Sequence, residues 1–316
     1  MNPVISVCVP VYNTAQYLEQ CLESIFNQTI ADKCEFIIVN DCSPDNSAEI
    51  LQALKNKYAN LPIKIITHER NRGLAAARNT GLENSTGTYC IFLDSDDWCE
   101  HNYIERMLSV AKDNAADMVV SFCDNYKPSN NDFTYQILMH ELPIVIWAKL
   151  IKRTLFTENN LKWVEGINVG EDVIISSKLL FFAKKVITIP DRLYHYRVSI
   201  GFVTKLKKIA WLEQKKKQFA ELERFFNENN CYEKYREIID LRKAEIKFDF
   251  IKAGTSFSIK KYNIYYPEIK LEILLKLRSD LNNRQTKLFI SLVDKKKYFS
   301  ANILLLFYKL YHLVIK

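Results

Sequence analysis

Glycine is scarce in this sequence, with 7 among 316 residues, so each glycine is expected where the backbone specifically needs it. The eight cysteines include no Cys-x-x-Cys pair, and this spacing argues against a zinc site. No apolar run of about 18 residues is free of charge, and no basic segment leads into an apolar stretch at the N-terminus. We therefore expect reduced cysteines, no signal peptide and no membrane-spanning segment, as in a cytoplasmic protein.

The composition is that of a folded globular protein, with 48% hydrophobic and 26% charged residues. The net charge of +7 is unevenly spread, because residues 205–316 are rich in lysine whereas residues 1–204 are slightly acidic. Glycine and proline also become rare after residue 205. These changes predict two domains, 1–204 and 205–316. The basic domain is expected to face a polyanion, either nucleic acid or an anionic membrane surface.

Short β-rich runs alternate with amphipathic segments in the first half of the chain. The predicted strands cover residues 4–9, 35–40, 63–67 and 88–93. Strands that alternate with helices at this spacing indicate βαβ units, so we predict an α/β fold with a mostly parallel sheet flanked by helices. A further helix with a basic face is predicted over residues 146–156, and the region after residue 205 is predicted to be helical.

The fourth predicted strand ends in three carboxylates within four positions, Asp94, Asp96 and Asp97. Ligands of open α/β sheets bind beyond the carboxyl ends of the strands, and clustered like charges favour a cation among them. A divalent metal that escorts a diphosphate satisfies both conditions, because hard cations take carboxylate and phosphate oxygens together. The alternative interpretation is a solvated acidic turn that caps the next helix.

Two other predicted strands also end in polar loops, which carry Tyr12 and Asp41. Parallel strands of one sheet place their carboxyl ends at the same edge. We therefore expect these two loops and the loop of Asp94 to converge on one crevice. This convergence favours the ligand site over the solvated turn.

Five motifs resemble those of glycosyltransferase family 2 in order and spacing: PVYN at 10–13, VND at 39–41, NRGLAAARN at 71–79, FLDSDD at 92–97 and GED at 170–172. A single motif of this kind is weak, but five in register are specific. The resemblance covers residues 3–200. It implies the GT-A fold and an inverting transferase that uses a nucleotide-sugar donor.

The resemblance also implies roles for single residues. Asp41 matches the acid that accepts a hydrogen bond from the nucleotide base, usually uracil, and Asp96 matches the metal-binding acid. Asp172 matches the general base of the Glu-Asp motif, with Glu171 as the alternative. The other residues that we expect to bind the nucleotide sugar are Pro10, Tyr12, Arg72, Arg78, Asp94 and Ser95.

The chemistry of sugar transfer accounts for these residue types. A nucleoside diphosphate is a poor leaving group until its charge is neutralised, which Mn²⁺ or Mg²⁺ on Asp96 would do. The acceptor hydroxyl is a weak nucleophile, so a carboxylate must take its proton. Asp172 follows Gly170 and is expected to open a helix, where the helix dipole favours an anion. A single base opposite the leaving group gives inversion.

Three further features keep two interpretations each. Trp98 either forms a platform for an acceptor sugar or belongs to the core. His195 either approaches the metal and diphosphate or is structural. The apolar residues 302–315, which three lysines precede, either lie in the membrane interface or dock as a helix on their own domain.

The expected function is the transfer of one hexosyl or N-acetylhexosaminyl group from a UDP-sugar to a glycan or lipid-linked glycan, in bacterial surface polysaccharide synthesis. Processive members of the family carry transmembrane helices and a Gln-x-x-Arg-Trp motif, and this sequence has neither. The alternative is a non-catalytic protein that binds sugar or nucleotide on the same fold. No nucleic-acid partner is expected, because the basic region carries no recognised motif. We expect action in the cytoplasm, with peripheral contact at the inner face of the plasma membrane.

Overall fold

The computed structural model describes residues 3–124, 126–197, 208–253, 266–277, 284–301 and 303–304. The chain forms two compact units, Met1–Phe225 and Phe226–Lys316. The domain boundary predicted between residues 204 and 205 lies outside the described residues. The same is true of the predicted C-terminal helix over residues 302–315, except for residues 303 and 304.

The first unit is built on a seven-stranded sheet. Its strands are β1 (Ile5–Val11), β2 (Cys34–Asn40), β3 (Ile63–Thr67), β4 (Tyr89–Phe92), β6 (Met118–Val120), β7 (Lys149–Lys152) and β8 (Val186–Thr188). Their order is β3-β2-β1-β4-β7-β6-β8. The first four strands are mutually parallel, as are β6 and β8, whereas β7 is antiparallel to both of its neighbours. A separate antiparallel pair joins β5 (Trp98–Cys99) to β9 (Tyr194–His195).

Helices cover both faces of this sheet, which explains why the central strands β1 and β4 are buried along their whole length. The helices are α1 (Ala15–Phe26), α2 (Ser47–Lys57), α3 (Leu74–Glu83), α4 (Tyr103–Asp113), α5 (Phe133–Leu138), α6 (Arg153–Glu158), α7 (Glu171–Phe182) and α8 (Lys208–Glu228). Val7 and Val9 of β1 share a core with buried residues of α1, α2 and α4. Cys8 faces the other side of the sheet, where Gly81 of α3 packs against it. The predicted α/β class is confirmed.

The strands β1, β2 and β4 end side by side, as the sequence pattern predicted. Val11 is in register with Asn40, and Cys8 is in register with Phe92. Hydrogen bonds continue just past the strands, since the amide of Asp41 donates to Val11 at 2.9 Å. The loops that carry the candidate site residues therefore leave the sheet at one edge.

The prediction of a single helix over residues 146–156 is wrong. A short 3₁₀ turn at Ile146–Ala148 leads into β7, and α6 begins only at Arg153. Leu150 and Ile151 are both fully buried, because β7 lies between β4 and β6 in the sheet. Strand pairing within the tertiary structure has overridden the local helical pattern.

The second unit is helical where the structure describes it. Its helices are α9 (Tyr232–Ala253), α10 (Leu274–Leu277) and α11 (Arg284–Asp294). The Nζ of Lys247 on α9 donates to the carbonyl oxygens of Tyr266 and Ile269, and the carboxylate of Asp294 accepts from the amides of Leu271 and Glu272. Among the described helices, none combines the length and the apolar character that crossing a bilayer requires.

Gly87 lies just before β4, against the backbone of β1. A Cβ at this position would lie 2.7 Å from the amide nitrogen of Ser6 and 2.8 Å from the carbonyl carbon of Ile5. These atoms belong to a central strand and cannot move without disturbing the sheet. We expect Gly87→Ala to lower the free energy of unfolding by about 2 kcal/mol, measured by urea denaturation.

Gly166→Ala is the matched control. A Cβ at Gly166 would meet no atom within 4 Å, so only its positive φ of +82° opposes the substitution. The expected loss is about 1 kcal/mol. A Gly87→Ala variant no less stable than this control would contradict the proposed close approach.

Candidate active site

Arg78 on α3 lies at the centre of the candidate site. Its side chain is 2% exposed, and carboxylates from two distant segments surround it. Nη2 donates to Oδ1 of Asp94 at 2.9 Å, and Nη1 donates to Oδ1 of Asp172 at 2.7 Å. Oε1 of Glu171 lies 3.6 Å from Nη1. One arginine thus joins the acidic loop after β4 to the first turn of α7.

Burial and charge act against each other in this cluster. Burial disfavours the charged guanidinium, but Asp172, Asp94 and Glu171 outweigh it and raise the pKa of Arg78 above its ordinary value. Burial raises the pKa of Glu171, Asp172 adds to this effect, and Arg78 opposes it. Burial likewise raises the pKa of Asp94 against the influence of Arg78. One cation therefore does not fully compensate three carboxylates.

The carboxylate of Asp172 is held at both oxygens. While Arg78 holds one oxygen, Oδ2 accepts the backbone N–H of Ile146 at 3.0 Å. The turn before Ile146 is fixed by Lys149, whose buried Nζ donates to Pro143 and Val145 at 2.6 Å each. Burial lowers the pKa of Lys149 to about 7, although Asp172 opposes the shift. The sequence analysis places Lys149 on the basic face of the helix predicted over residues 146–156, whereas the structure buries it in β7.

Asp41 is buried at the end of β2 and orders the turn at residues 71–73. Oδ1 accepts the amide of Arg72 at 2.8 Å, and Oδ2 accepts the amide of Gly73 at 2.7 Å. Nδ1 of His68 lies 2.6 Å from Oδ1, and its Nε2 lies 2.9 Å from the hydroxyl of Thr80. The sequence analysis missed His68. Its position directly after β3, the strand beside β2, was the available signal.

The other predicted nucleotide-side residues divide between buried and exposed positions. Pro10 is buried within β1, whereas Tyr12, just past the strand, is 48% exposed. The guanidinium of Arg72 pairs with Glu165 at 3.1 Å at the surface, with both side chains about half exposed. Only the backbone of Arg72 contacts Asp41 in this structure.

Within the acidic loop, Ser95 and Asp97 have structural partners. The hydroxyl of Ser95 lies 2.9 Å from that of Thr14, at the start of α1. Asp97 accepts the hydroxyl of Tyr194 at 2.6 Å and the amide of Arg197 at 2.7 Å. Burial raises the pKa of Asp97 to about 7, although both of these hydrogen bonds oppose the shift. The third acid of the motif therefore anchors the loop.

This donor set fits a metal ion only in part. The described ranges contain no cluster of three or more His, Cys, Asp or Glu arranged to hold a metal. Asp94 is engaged by Arg78, and Asp97 is engaged by Tyr194, whereas Asp96 is half-buried in the same loop. Magnesium-type cations often bind through one or two carboxylates and complete their shell with substrate phosphates. The residues thus fit a metal that arrives with a diphosphate.

Trp98 and His195 stack on each other beside this loop, with ring centroids 5.0 Å apart. Nε2 of His195 also lies 2.6 Å from Oε1 of Glu100. The guanidinium of Arg197 lies 4.7 Å from the Trp98 ring and 4.6 Å from that of Tyr17. These contacts fasten β9 to β5 and favour the structural interpretation of His195.

Sequence comparison assigns the part of the chain that carries these acids to a known family. The Glycosyl transferase family 2 model matches residues 6–180. The putative glycosyltransferase EpsH of Bacillus subtilis is 34% identical over an alignment of 259 residues, which covers 76% of this chain and 74% of that protein. The poly(ribitol-phosphate) beta-glucosyltransferase of Bacillus spizizenii is 29% identical over 62% of this chain and 32% of its own length. The chain belongs to glycosyltransferase family 2, and the expected resemblance is confirmed.

Solved structures of similar fold include transferases with bound donors. Staphylococcus aureus TarS 1–349 in complex with UDP-GlcNAc superposes with a TM-score of 0.70 at 16% identity, covering 96% of this chain and 91% of that one. The mannosyltransferase PcManGT from Pyrobaculum calidifontis, in complex with GDP-Man and Mn²⁺, gives 0.58 at 17% identity, with coverage of 96% and 86%. At these identities the likeness concerns the fold, which is the predicted GT-A arrangement.

Glu171 is the residue of this cluster through which pH should act on stability. Its raised pKa means that the folded protein keeps a proton that the unfolded chain releases above the ordinary pKa of 4.5. This contribution to stability is complete below that value and is lost as the pH rises through the raised pKa. Glu171→Gln should therefore melt at a higher temperature than the wild type at about pH 8, with a difference that shrinks toward about pH 5.

Glu158→Gln, which alters an exposed glutamate of the same unit, is the control for this measurement. Its melting temperature should follow that of the wild type at every pH. The same pH dependence in Glu171→Gln as in the control would show that Glu171 is not the destabilised carboxylate.

Proposed function

We propose that this protein is an inverting glycosyltransferase that moves one sugar from a UDP-sugar to a hydroxyl of a glycan or lipid-linked glycan. The observation that carries the proposal is the bridge from Arg78 to Asp94 and Asp172, which brings the donor-side loop and the candidate base to one point. The names of the relatives support a surface polymer as the product, since one glucosylates poly(ribitol-phosphate). The UDP-GlcNAc complex of TarS supports a UDP-sugar donor, with a hexosyl or N-acetylhexosaminyl group.

The nucleotide would bind between Tyr12 and the turn that Asp41 orders. Asp41 already accepts three hydrogen bonds, and a carboxylate has about four acceptor positions, so one remains for a donor on the base. Pro10 and Tyr12 would pack against the base and ribose, as the family resemblance implies. The ribose and diphosphate would then extend toward Asp94 and Ser95.

The diphosphate would leave from the acidic loop. Asp96 would hold Mn²⁺ or Mg²⁺ there, and the metal would neutralise the charge that develops on the leaving phosphate. The Mn²⁺ in the PcManGT complex supports this assignment. The residues of this chain hold the loop in place through Ser95 and Asp97, so that Asp96 keeps a defined position.

Asp172 would accept the proton of the acceptor hydroxyl while that oxygen attacks the anomeric carbon. The bond from this carbon to the diphosphate oxygen breaks in the same step, so one displacement inverts the configuration. Hydrogen bonds from Arg78 and the amide of Ile146 hold both carboxylate oxygens, and each oxygen keeps a lone pair. The first turn of α7 adds the favourable field of a helix N-terminus.

A second candidate is a non-catalytic protein that binds a sugar or nucleotide on this fold. The intact set Asp41, Asp94, Asp96 and Asp172 favours the enzyme. Only the enzyme would turn over a bound donor, so binding and turnover must be measured on the same variants.

A thermal-shift screen of UDP-, GDP- and TDP-sugars with Mn²⁺ tests the donor assignment. A UDP-sugar at about one hundred times its Kd should stabilise the protein by about 2.7 kcal/mol, which is roughly 5–10 °C. Asp96→Asn should lose the part of this shift that requires Mn²⁺. Asp172→Asn should keep the whole shift and lose transfer and donor hydrolysis by about a hundredfold or more, because an amide oxygen can still accept a hydrogen bond from Arg78 but cannot take the proton of the acceptor hydroxyl.

Arg192→Gln, at an exposed ion pair with Asp124, is the control, and its shift and turnover should match the wild type. No shift with any UDP-sugar would refute the donor assignment. A shift without any turnover in the wild type would favour the non-catalytic alternative.

We further propose peripheral contact of the second unit with the anionic inner face of the plasma membrane. Lys295, Lys296 and Lys297 are exposed, and close to them in sequence Phe299 is 71% exposed and Leu288 is 52% exposed. Exposed aromatic and aliphatic side chains beside lysines match the apolar and charged layers of a bilayer surface.

Vesicle flotation tests this contact. The wild type should float with vesicles that contain phosphatidylglycerol and not with neutral phosphatidylcholine vesicles, and it should be released as salt rises. Replacement of the three lysines by Gln should abolish flotation, whereas Lys55→Gln, on α2 of the first unit, should not. Equal binding to neutral vesicles, or to DNA, would contradict the proposal.

A further inference from the structure

The loop before Glu171 is hydrogen-bonded to α8, a helix that follows the residues matched by the family model. The amide of Asn168 donates to Oε1 of Gln214 on α8 at 2.7 Å, and Nε2 of Gln214 donates to the carbonyl of Gly166 at 3.3 Å. The family model ends at residue 180, whereas α8 begins at Lys208. One side chain of α8 thus makes two hydrogen bonds to the loop that delivers the candidate base.

Gln218, one turn further along α8, packs against Gly170 at the start of α7. Gln218 is 3% exposed, and a Cβ on Gly170 would lie 2.0 Å from its Oε1. Gly170 has φ +82°, a left-handed conformation that glycine adopts at low cost but that its own backbone does not enforce. The close contact with Gln218 therefore helps to fix the direction in which α7 begins.

A buried ion pair joins α8 to α7. Nζ of Lys178 lies 2.5 Å from Oε1 of Glu221, and both side chains are at most 10% exposed. Leu212 and Leu222 of α8 are also buried. The part of α8 that carries the two glutamines is thus held firmly in the first unit.

The same loop touches the donor side of the site. Glu165 pairs with Arg72, and Oδ1 of Asn168 lies 3.8 Å from where a Cβ of Gly73 would be. Arg72 and Gly73 supply the two amides that Asp41 binds. Residues 165–170 therefore connect the nucleotide-side turn to the candidate base. Gln214 makes hydrogen bonds to Gly166 and Asn168 in the middle of this segment.

We propose that Gln214 and Gln218 are positioning residues for Asp172. They touch neither the donor nor the reacting atoms, and they act by fixing the loop and the first turn of α7. This inference rests on the proposed function, because it takes Asp172 as the base. It makes α8, which follows the residues that the family model matches, part of the catalytic apparatus of this chain.

Gln214→Ala tests the inference through the steady-state kinetics of transfer. Loss of these hydrogen bonds should lower kcat by about tenfold to a hundredfold, because small displacements of a catalytic group have effects of this size. The KM for the UDP-sugar should stay within about twofold of the wild type, since the Arg72 and Gly73 amides remain bound to Asp41. A merely structural role would not separate kcat from KM in this way.

Two further variants make the test specific. Gln214→Glu keeps the acceptor for the amide of Asn168 but loses the donor to the carbonyl of Gly166, so it should recover part of the kcat lost in Gln214→Ala. Lys217→Ala, at an exposed position of the same helix, should have the kcat and melting temperature of the wild type. Gln214→Ala, which loses two hydrogen bonds, and Gln214→Glu should both unfold within a few degrees of the wild type.

Asp172→Asn distinguishes failure of the inference from failure of the proposed function. If Asp172→Asn loses transfer and Gln214→Ala keeps the kcat of the wild type, the inference is overturned and the assigned base stands. If Gln214→Ala raises only the donor KM, these hydrogen bonds serve binding and the inference is overturned as well. If Asp172→Asn keeps its activity, the assigned base is wrong and the inference fails with it.

Discussion

The site depends on one buried arginine among three carboxylates. Without Arg78, the end of β4 and the start of α7 would bring like charges together in a poorly solvated place. The ion pairs that join the two segments would also be lost. Removing the cation from such a cluster typically costs several kcal/mol, because the remaining charges are left buried and uncompensated. The pairing that gathers the acids of the candidate site thus also holds the two segments of the fold together.

The acids of this site differ in how they are held, and this separates their roles. Asp41 and Asp97 are almost completely buried, and each accepts hydrogen bonds from a backbone amide and a ring group that order its loop. Asp94 and Asp172 share the arginine at the boundary with solvent. Asp96 is half-buried between them in sequence. Solvent exposure thus distinguishes the two acids that order loops from those at the solvent boundary of the candidate site.

Much of this arrangement could be predicted from the sequence. Alternating apolar runs indicated the parallel strands, and acids placed at strand ends indicated a shared edge, because both signals are local. His68 follows β3 directly and could have been found by the same rule, but the contacts of Lys149 could not. A lysine that caps carbonyls inside a sheet looks like a surface lysine, and strand β7 looked helical because its pairing partners lie far away in the chain. Gln214 gives no signal at all, since glutamines on helices are common.

The antiparallel direction of β7 determines which backbone segment lies beside Asp172. If β7 were parallel to β4, the connection that precedes β7 would lie at the opposite edge of the sheet, where β4 begins. Since β7 runs the other way, with Leu150 opposite Ile91, its incoming connection reaches the rim where β4 ends. The amide of Ile146 arrives there and meets Asp172. Because β7 is antiparallel to β4, the backbone of this connection forms one side of the candidate site. Substitution of its side chains leaves that backbone amide in place.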